Sequence, residues 1–352
     1  MTQRIFHAFG TKAPKAALSA ILAVALCLAG REARAQDSIT SELRRILEPD
    51  STGRTGILFG RLDSLHATPR IWTEGAIDQA NDLRLGCPTS KPALALITLR
   101  EKLDLNATID RWFPEEQGYT HAHKITLQNL LLNSSGIRDF VPLIPIHPDS
   151  AVTPANSIDR AYCHQTLLFP PGTRFDYSNT NFSIVGRILE LQTKKSISEL
   201  FREYFGPVAP TIRLDDGKGD YPKGYVNPWP YHWSSPGFGG SFIGSAADAL
   251  RLFTYINSQT EFFVMTHWYK PDGSYSSGRG DHLLGLGVFG ASNFAGQGLA
   301  SVYEGDMGPC QMILAHVKGS TFCIYSSHNL GRSELRKVFE RLVTMSLQSS
   351  KE

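Results

Sequence analysis

The 352-residue chain is long enough for one large domain or two moderate ones. Its 41% hydrophobic and 19% charged residues are ordinary for a folded enzyme and exclude disorder as the dominant state. With 35 Lys and Arg against 33 Asp and Glu, the formal charge of +2 leaves no basic surplus of the kind a nucleic-acid partner requires.

Residues 1–35 read as a signal peptide. They hold Arg4, Lys12, Lys15, Arg31 and Arg34 against a single acid, Glu32. The apolar run from Ala16 to Ala29 is too short to span a membrane. Ala33-Arg34-Ala35 is a small-x-small cleavage site, so the mature chain is expected to begin near Gln36, in the periplasm or secreted. Lipoprotein cleavage before Cys27 would want a small residue where Leu26 stands. The remainder carries 30 basic and 32 acidic residues, net −2, and no stretch suited to stable membrane insertion.

Ser38 to Ile46 has helical spacing. Gly56 to Leu62 and Pro69 to Glu74 form a strand pair around a short polar turn. Helical stretches follow at Pro92–Lys102, Thr126–Leu132, Asn181–Gln192 and Ile197–Tyr204. Leu214 to Trp233, rich in Gly, Pro and Asp, reads as a long loop. Ser245 caps a helix to Asn257, with Asp248 in its first turn. Cys310–Val317 and Thr321–Ser327 are alternating apolar strands of a hairpin around Lys318-Gly319-Ser320, and Leu335–Leu347 closes the chain as a helix. Cys87, Cys163, Cys310 and Cys323 match no zinc spacing; they read as separate thiols, with a bridge at Cys310 or Cys323, or a reactive Cys87, as the alternatives. His121-Ala-His123 reads as solvated rather than metal-binding.

Four segments carry chemistry: Lys102–Pro114, Ile125–Ile137, Phe169–Gly186 with its Tyr177-Ser178-Asn179, and Pro236–Asp248. In this order and spacing they resemble the class C β-lactamase and DD-peptidase-like serine hydrolases, which include many esterases. The resemblance covers roughly residues 40 to 345. It implies an α+β, β-lactamase/transpeptidase-like fold: an antiparallel sheet flanked by helices, with a helical subdomain. The sheet part would comprise approximately 36–86 and 235–352, and the helical part approximately 87–234. It also implies acyl transfer by a Ser-x-x-Lys at a helix start, with a Tyr-x-Asn and a Lys/His-x-Gly strand around it. Tyr177 would shuttle protons and Asn179 would hydrogen-bond the acyl side chain.

Two motifs depart from the family. Arg84-Leu-Gly-Cys-Pro-Thr-Ser-Lys-Pro92 holds no Ser-x-x-Lys. Anchoring on Gly86 puts Cys87 at the nucleophile position, anchoring on Pro92 keeps Lys91, and the two disagree by one residue. Cys87 and Lys91 at i,i+4 share a helix face, and a thiolate beside a cation at a helix N-terminus is sensible chemistry. Ser90 is the rival. In Val302–Pro309, Tyr303 stands where the cation belongs, Gly305 is kept, and the N–H of Asp306 would complete an oxyanion hole. Glu304 and Asp306 are expected to make this neighbourhood acidic, which disfavours a substrate carboxylate and favours an uncharged ester or amide. The leading expectation is an exported hydrolase of a small ester or amide. The alternative is an inactive relative that binds a peptidoglycan-type or small acyl ligand. No metal or organic cofactor is implied.

Overall fold

In the computed structural model the described residues are 37–47, 55–85, 87–143, 154–214, 242–274, 283–307, 310–328 and 330–348. The signal-peptide reading lies outside them, as does most of the Leu214–Trp233 loop.

Seven strands form one antiparallel sheet in the order β2-β1-β10-β9-β8-β7-β6. They are β1 (Gly56–Leu62), β2 (Arg70–Gly75), β6 (Leu283–Leu284), β7 (Phe289–Ala291), β8 (Ala300–Met307), β9 (Cys310–Val317) and β10 (Ser320–Ser326). A smaller sheet, β3-β5-β4, joins β3 (Leu83–Arg84), β5 (Phe242–Gly244) and β4 (Arg213–Leu214). β1 pairs with β10 from Ile57↔Ser326 to Leu62↔Thr321, so both ends of the chain close the same sheet.

Both faces of the central strands are covered. Ile57, Phe59, Ile313 and Ile324 face α9 (Arg332–Gln348) and the helix at residues 37–47, α1, through Leu43, Val338, Phe339 and Leu342. Leu58, Leu62, Met312, Leu314 and Tyr325 face α2 (Cys87–Arg100) and α7 (Ala246–Ser258). The sequence shows β9 as an alternating apolar strand of a hairpin, a pattern that does not reveal a helical layer on each face. Gly60 allows a close approach: a Cβ there would stand 2.8 Å from Cys323 Sγ and 2.9 Å from Leu250 Cδ1. Cys163, Cys310 and Cys323 are free thiols, which removes the alternative of a bridge at Cys310 or Cys323. Burial pushes the Cys310 and Cys323 thiols up to about 11 and about 12, as expected of packing cysteines.

α2 begins at Cys87, the helix start that the resemblance implied and five residues before the apolar stretch read from the pattern alone. Neither proline stops it. Pro88 falls in the first turn, where N–H groups have no intrahelical partner, and Pro92 deletes a single bond, to the carbonyl of residue 88. α3 (Leu127–Leu131), α4 (Pro154–Tyr162), α5 (Asn179–Thr193) and α6 (Ile197–Phe205) lie between β3 and β4 in the chain. Thr126 and Ser196 close capping boxes with Asn129 and Glu199, and Ser245 Oγ accepts from Asp248 N–H at 3.2 Å to cap α7. α8 (Thr260–Met265) follows α7.

Candidate active site

Asn133 holds the turn that leads into α5. It adopts φ +52°, and its main-chain carbonyl accepts from Asp176 N–H at 2.9 Å. Its Oδ1 accepts from Ser178 N–H and from Asn181 Nδ2, both at 3.1 Å. Ser135 Oγ donates to Asn181 Oδ1 at 2.6 Å. Gly136, at φ +80°, lets Phe169 approach, since a Cβ there would stand 2.2 Å from the Phe169 carbonyl oxygen. The Ile125–Ile137 and Phe169–Gly186 segments are therefore one device: the first clamps the second, and Tyr177 and Asn179 emerge at the start of α5.

Lys91, on the second turn of α2, is fully buried. Its Nζ donates to Asn179 Oδ1 at 2.8 Å and lies 5.1 Å from the ring centroid of Tyr177 and 5.4 Å from that of Phe182. Two ring faces and an amide oxygen thus take the place of water around the ammonium. Tyr177 OH donates to the same Oδ1 at 3.3 Å. At the other end of the same side-chain amide, Asn179 Nδ2 donates to Asp139 Oδ2 at 3.0 Å. Asp139 lies two residues past the Ile125–Ile137 segment, and the fold brings it here.

Tyr177 and Asn179 open onto a cleft of about 720 Å³ together with Gly305 and Asp306. β7 pairs with β8 only from Ala300 to Val302, whereas β9 accompanies β8 to Met307. Among the described residues, the main chain of Tyr303–Asp306 therefore has a strand on one side and the cleft on the other. Phe175, Tyr269, Leu283, Leu284 and Phe289 form an apolar wall. Phe175 leaves 42% of its surface exposed, and its ring meets Phe289 edge-on at 5.9 Å. Tyr303 is not at the surface of this cleft but beneath it, fully buried with its ring 5.1 Å from Phe289. Ser90 is also fully buried, one residue before Lys91. Cys87 is the first residue of α2.

The expected acidity of the rim is corrected by α9. Arg332 donates to Asp306 Oδ2 through Nη2 at 2.5 Å and Nε at 3.1 Å. Arg336 bonds both Glu304 and Glu340. The sequence shows the two acids but not their partners, which lie on a helix nearly thirty residues downstream. The cleft rim is charge-paired, and Tyr303 contributes no cation to it. Among the described residues no cluster of three or more His, Cys, Asp and Glu side chains is arranged to hold a metal. His123 Nδ1 instead meets Glu115 Oε1 at 2.7 Å. No helix among them is long and apolar enough to cross a membrane.

The Beta-lactamase family model matches residues 93–301, more than half of the chain. A D-aminopeptidase of Cereibacter sphaeroides is 32% identical over 150 residues, covering 39% of this chain and 28% of the relative. The chain thus spans about a quarter of the length of the curated relatives it matches. Among solved structures, a D-amino acid amidase from Ochrobactrum anthropi complexed with L-phenylalanine superposes with a TM-score of 0.73 at 17% identity, covering 89% of this chain and 100% of that one. A class C β-lactamase mutant gives 0.64 at 13% identity, covering 88% and 97%. The chain belongs to the Beta-lactamase family, and its fold is the α+β, β-lactamase/transpeptidase-like one that the sequence motifs implied.

Proposed function

On that premise we propose that the chain is an acyl-transfer hydrolase of small esters or amides that carry no carboxylate, working through an acyl-enzyme formed at the N-terminus of α2. The observation that carries this reading is the single hydrogen-bonded group of Lys91, Tyr177 and Asn179 at the edge of the cleft. In this reading Cys87, its thiol proton passed to the Lys91–Tyr177 pair, attacks the carbonyl carbon, and the pair gives that proton to the alcohol or amine that departs as the C–O or C–N bond breaks, leaving a thioester. Asn179 and the open edge of β8 orient the acyl group, and the Asp306 N–H faces the developing oxyanion. Hydrolysis by water then frees the acid and restores the thiol. Residues 36–86 with 235–352 would form the sheet part and residues 87–234 the helical part, with the cleft between them. Export by residues 1–35 would place the reaction outside the cytoplasm, with intact mass of the exported chain showing a start near Gln36.

The substrate class follows from the two walls. Phe175, Tyr269, Leu284 and Phe289 favour an apolar or aromatic side group. The D-amino acid amidase neighbours, one of them bound to L-phenylalanine amide, support an amino-acid amide as the natural type. The guanidinium groups of Arg332 and Arg336 are already matched by Asp306, Glu304 and Glu340, so a substrate carboxylate would have to displace a protein one. Forfeiting such a charged bond costs roughly 1.5–3 kcal/mol, about ten- to a hundredfold in binding. Relative to their spontaneous rates, p-nitrophenyl butyrate and D-phenylalanine amide are expected to be turned over at least tenfold faster than nitrocefin. Faster nitrocefin turnover would show that Arg332 exchanges Asp306 for the substrate and would reverse the assignment.

A further inference from the structure

Asp139 lies against Asn179 of the proposed catalytic group and is not among the residues that line the cleft. Its Oδ1 accepts from Val141 N–H at 3.2 Å and its Oδ2 from Asn179 Nδ2 at 3.0 Å. The neighbouring main chain is clipped to the start of α5: Thr180 Oγ1 donates to the Arg138 carbonyl at 2.8 Å and accepts from Phe140 N–H at 3.0 Å. The carboxylate is thus held on the same few residues that present Tyr177 and Asn179.

An asparagine amide has a donor end and an acceptor end of nearly equal size. A lysine ammonium only donates, and a carboxylate only accepts. With Lys91 Nζ on one end of Asn179 and Asp139 on the other, a single orientation satisfies both. The reverse orientation would set N–H against N–H at Lys91 and oxygen against oxygen at Asp139. We propose that Asp139 is a positioning residue that fixes the amide orientation of Asn179 and, through it, the places of the Lys91 ammonium and the Tyr177 hydroxyl. The proposal rests on the acyl-transfer reading for its consequences in catalysis, but not for its geometry.

Lys91 comes from α2, Tyr177 from the turn before α5, Asp139 from the loop after α3, and Arg332, at the start of α9, acts on Tyr177. Burial pushes the Asp139 carboxyl above its usual range; the bonds from Val141 and Asn179 and the nearby Lys91 cation pull the other way. As pH falls, Asp139 therefore takes up a proton above the ordinary carboxyl value of 3.8, and the amide loses its anionic anchor.

Two readouts test this. In p-nitrophenyl butyrate hydrolysis, Asp139→Asn is expected to lose at least tenfold in kcat with KM within about twofold. The acid limb that Asp139 sets in the wild-type pH profile is expected to disappear. Asp139→Glu is expected to regain part of both. The second readout needs no turnover: the Asn179 side-chain amide protons in a 1H–15N spectrum. In the wild type one proton is expected downfield, moving with pH as Asp139 titrates, and this signature is expected to be absent in Asp139→Asn. A wild-type chain that shows the signature but hydrolyses nothing would sink the hydrolase reading and leave Asp139 in its role. An Asp139→Asn variant with an unchanged pH profile and an unchanged Asn179 signature would overturn the positioning role. So would an Asp139→Asn variant that loses activity only in proportion to folded protein, measured by near-UV circular dichroism.

Discussion

Lys91→Met is expected to lower kcat/KM for the best ester by about 10²–10⁴-fold, the range a positioned proton-transfer group supplies, while the thermal midpoint stays within a few degrees of wild type. The split follows from where the ammonium lies. It is fully buried, held by Asn179 Oδ1 and two aromatic faces. A lysine bearing only a structural role would be a poor choice for such a place, because desolvating the charge offsets much of what its contacts return. Methionine has a similar length and flexibility and packs well against the Tyr177 and Phe182 rings, so the volume is refilled without the charge. The measurement is the kinetic constant and the melting curve on one preparation. Wild-type turnover in Lys91→Met would remove Lys91 from the mechanism. A collapse of stability matching the loss of activity would make it a structural residue.

What the sequence disclosed of this centre depended on whether the signal was local. Tyr177 and Asn179 stand two residues apart inside a long matched segment, and the clamp from Asn133 that holds them is itself within a matched segment. Lys91 was legible as a residue, and the resemblance put the start of its helix at Cys87; the apolar pattern alone showed the helix only from Pro92. The ion pairs of Arg332 and Arg336 depend on how α9 lies across β8 and have no local trace in the chain. Asp139 was illegible for the same reason: a single carboxylate in a loop acquires meaning only when the loop is laid against the start of α5. The short strands β6 and β7 have too few residues to show a period.

Cys87→Ala is expected to abolish hydrolysis, and Ser90→Ala to leave most of it. Cys87 opens α2, so its N–H and those of the next two positions lack helical acceptors, apart from the proline at 88, which has none to offer. Such groups can meet an oxyanion, and the helix dipole favours the thiolate there. Ser90, the fourth residue of α2, is the first whose N–H falls in register with a helical acceptor, and it has no exposed surface. A thiol also needs less activation than a hydroxyl, which suits a site where the lysine lies four residues on rather than three. Assays of both variants on p-nitrophenyl butyrate decide the matter. The reverse pattern would place the chemistry on Ser90, and full activity in both would exclude them together.

The central claim, that a covalent acyl intermediate forms at the start of α2, is tested most directly on the wild-type chain with an activated acyl probe, and with a fluorophosphonate to report the rival Ser90, followed by peptide mass mapping. The account predicts one adduct per chain, on Cys87, formed rapidly in wild type, slowed by orders of magnitude in Lys91→Met and prevented by prior occupation of the cleft with D-phenylalanine amide. An absence of any adduct on Cys87 or Ser90 at saturating probe, in a chain that still binds D-phenylalanine amide, would contradict it and identify a ligand-binding relative without catalysis.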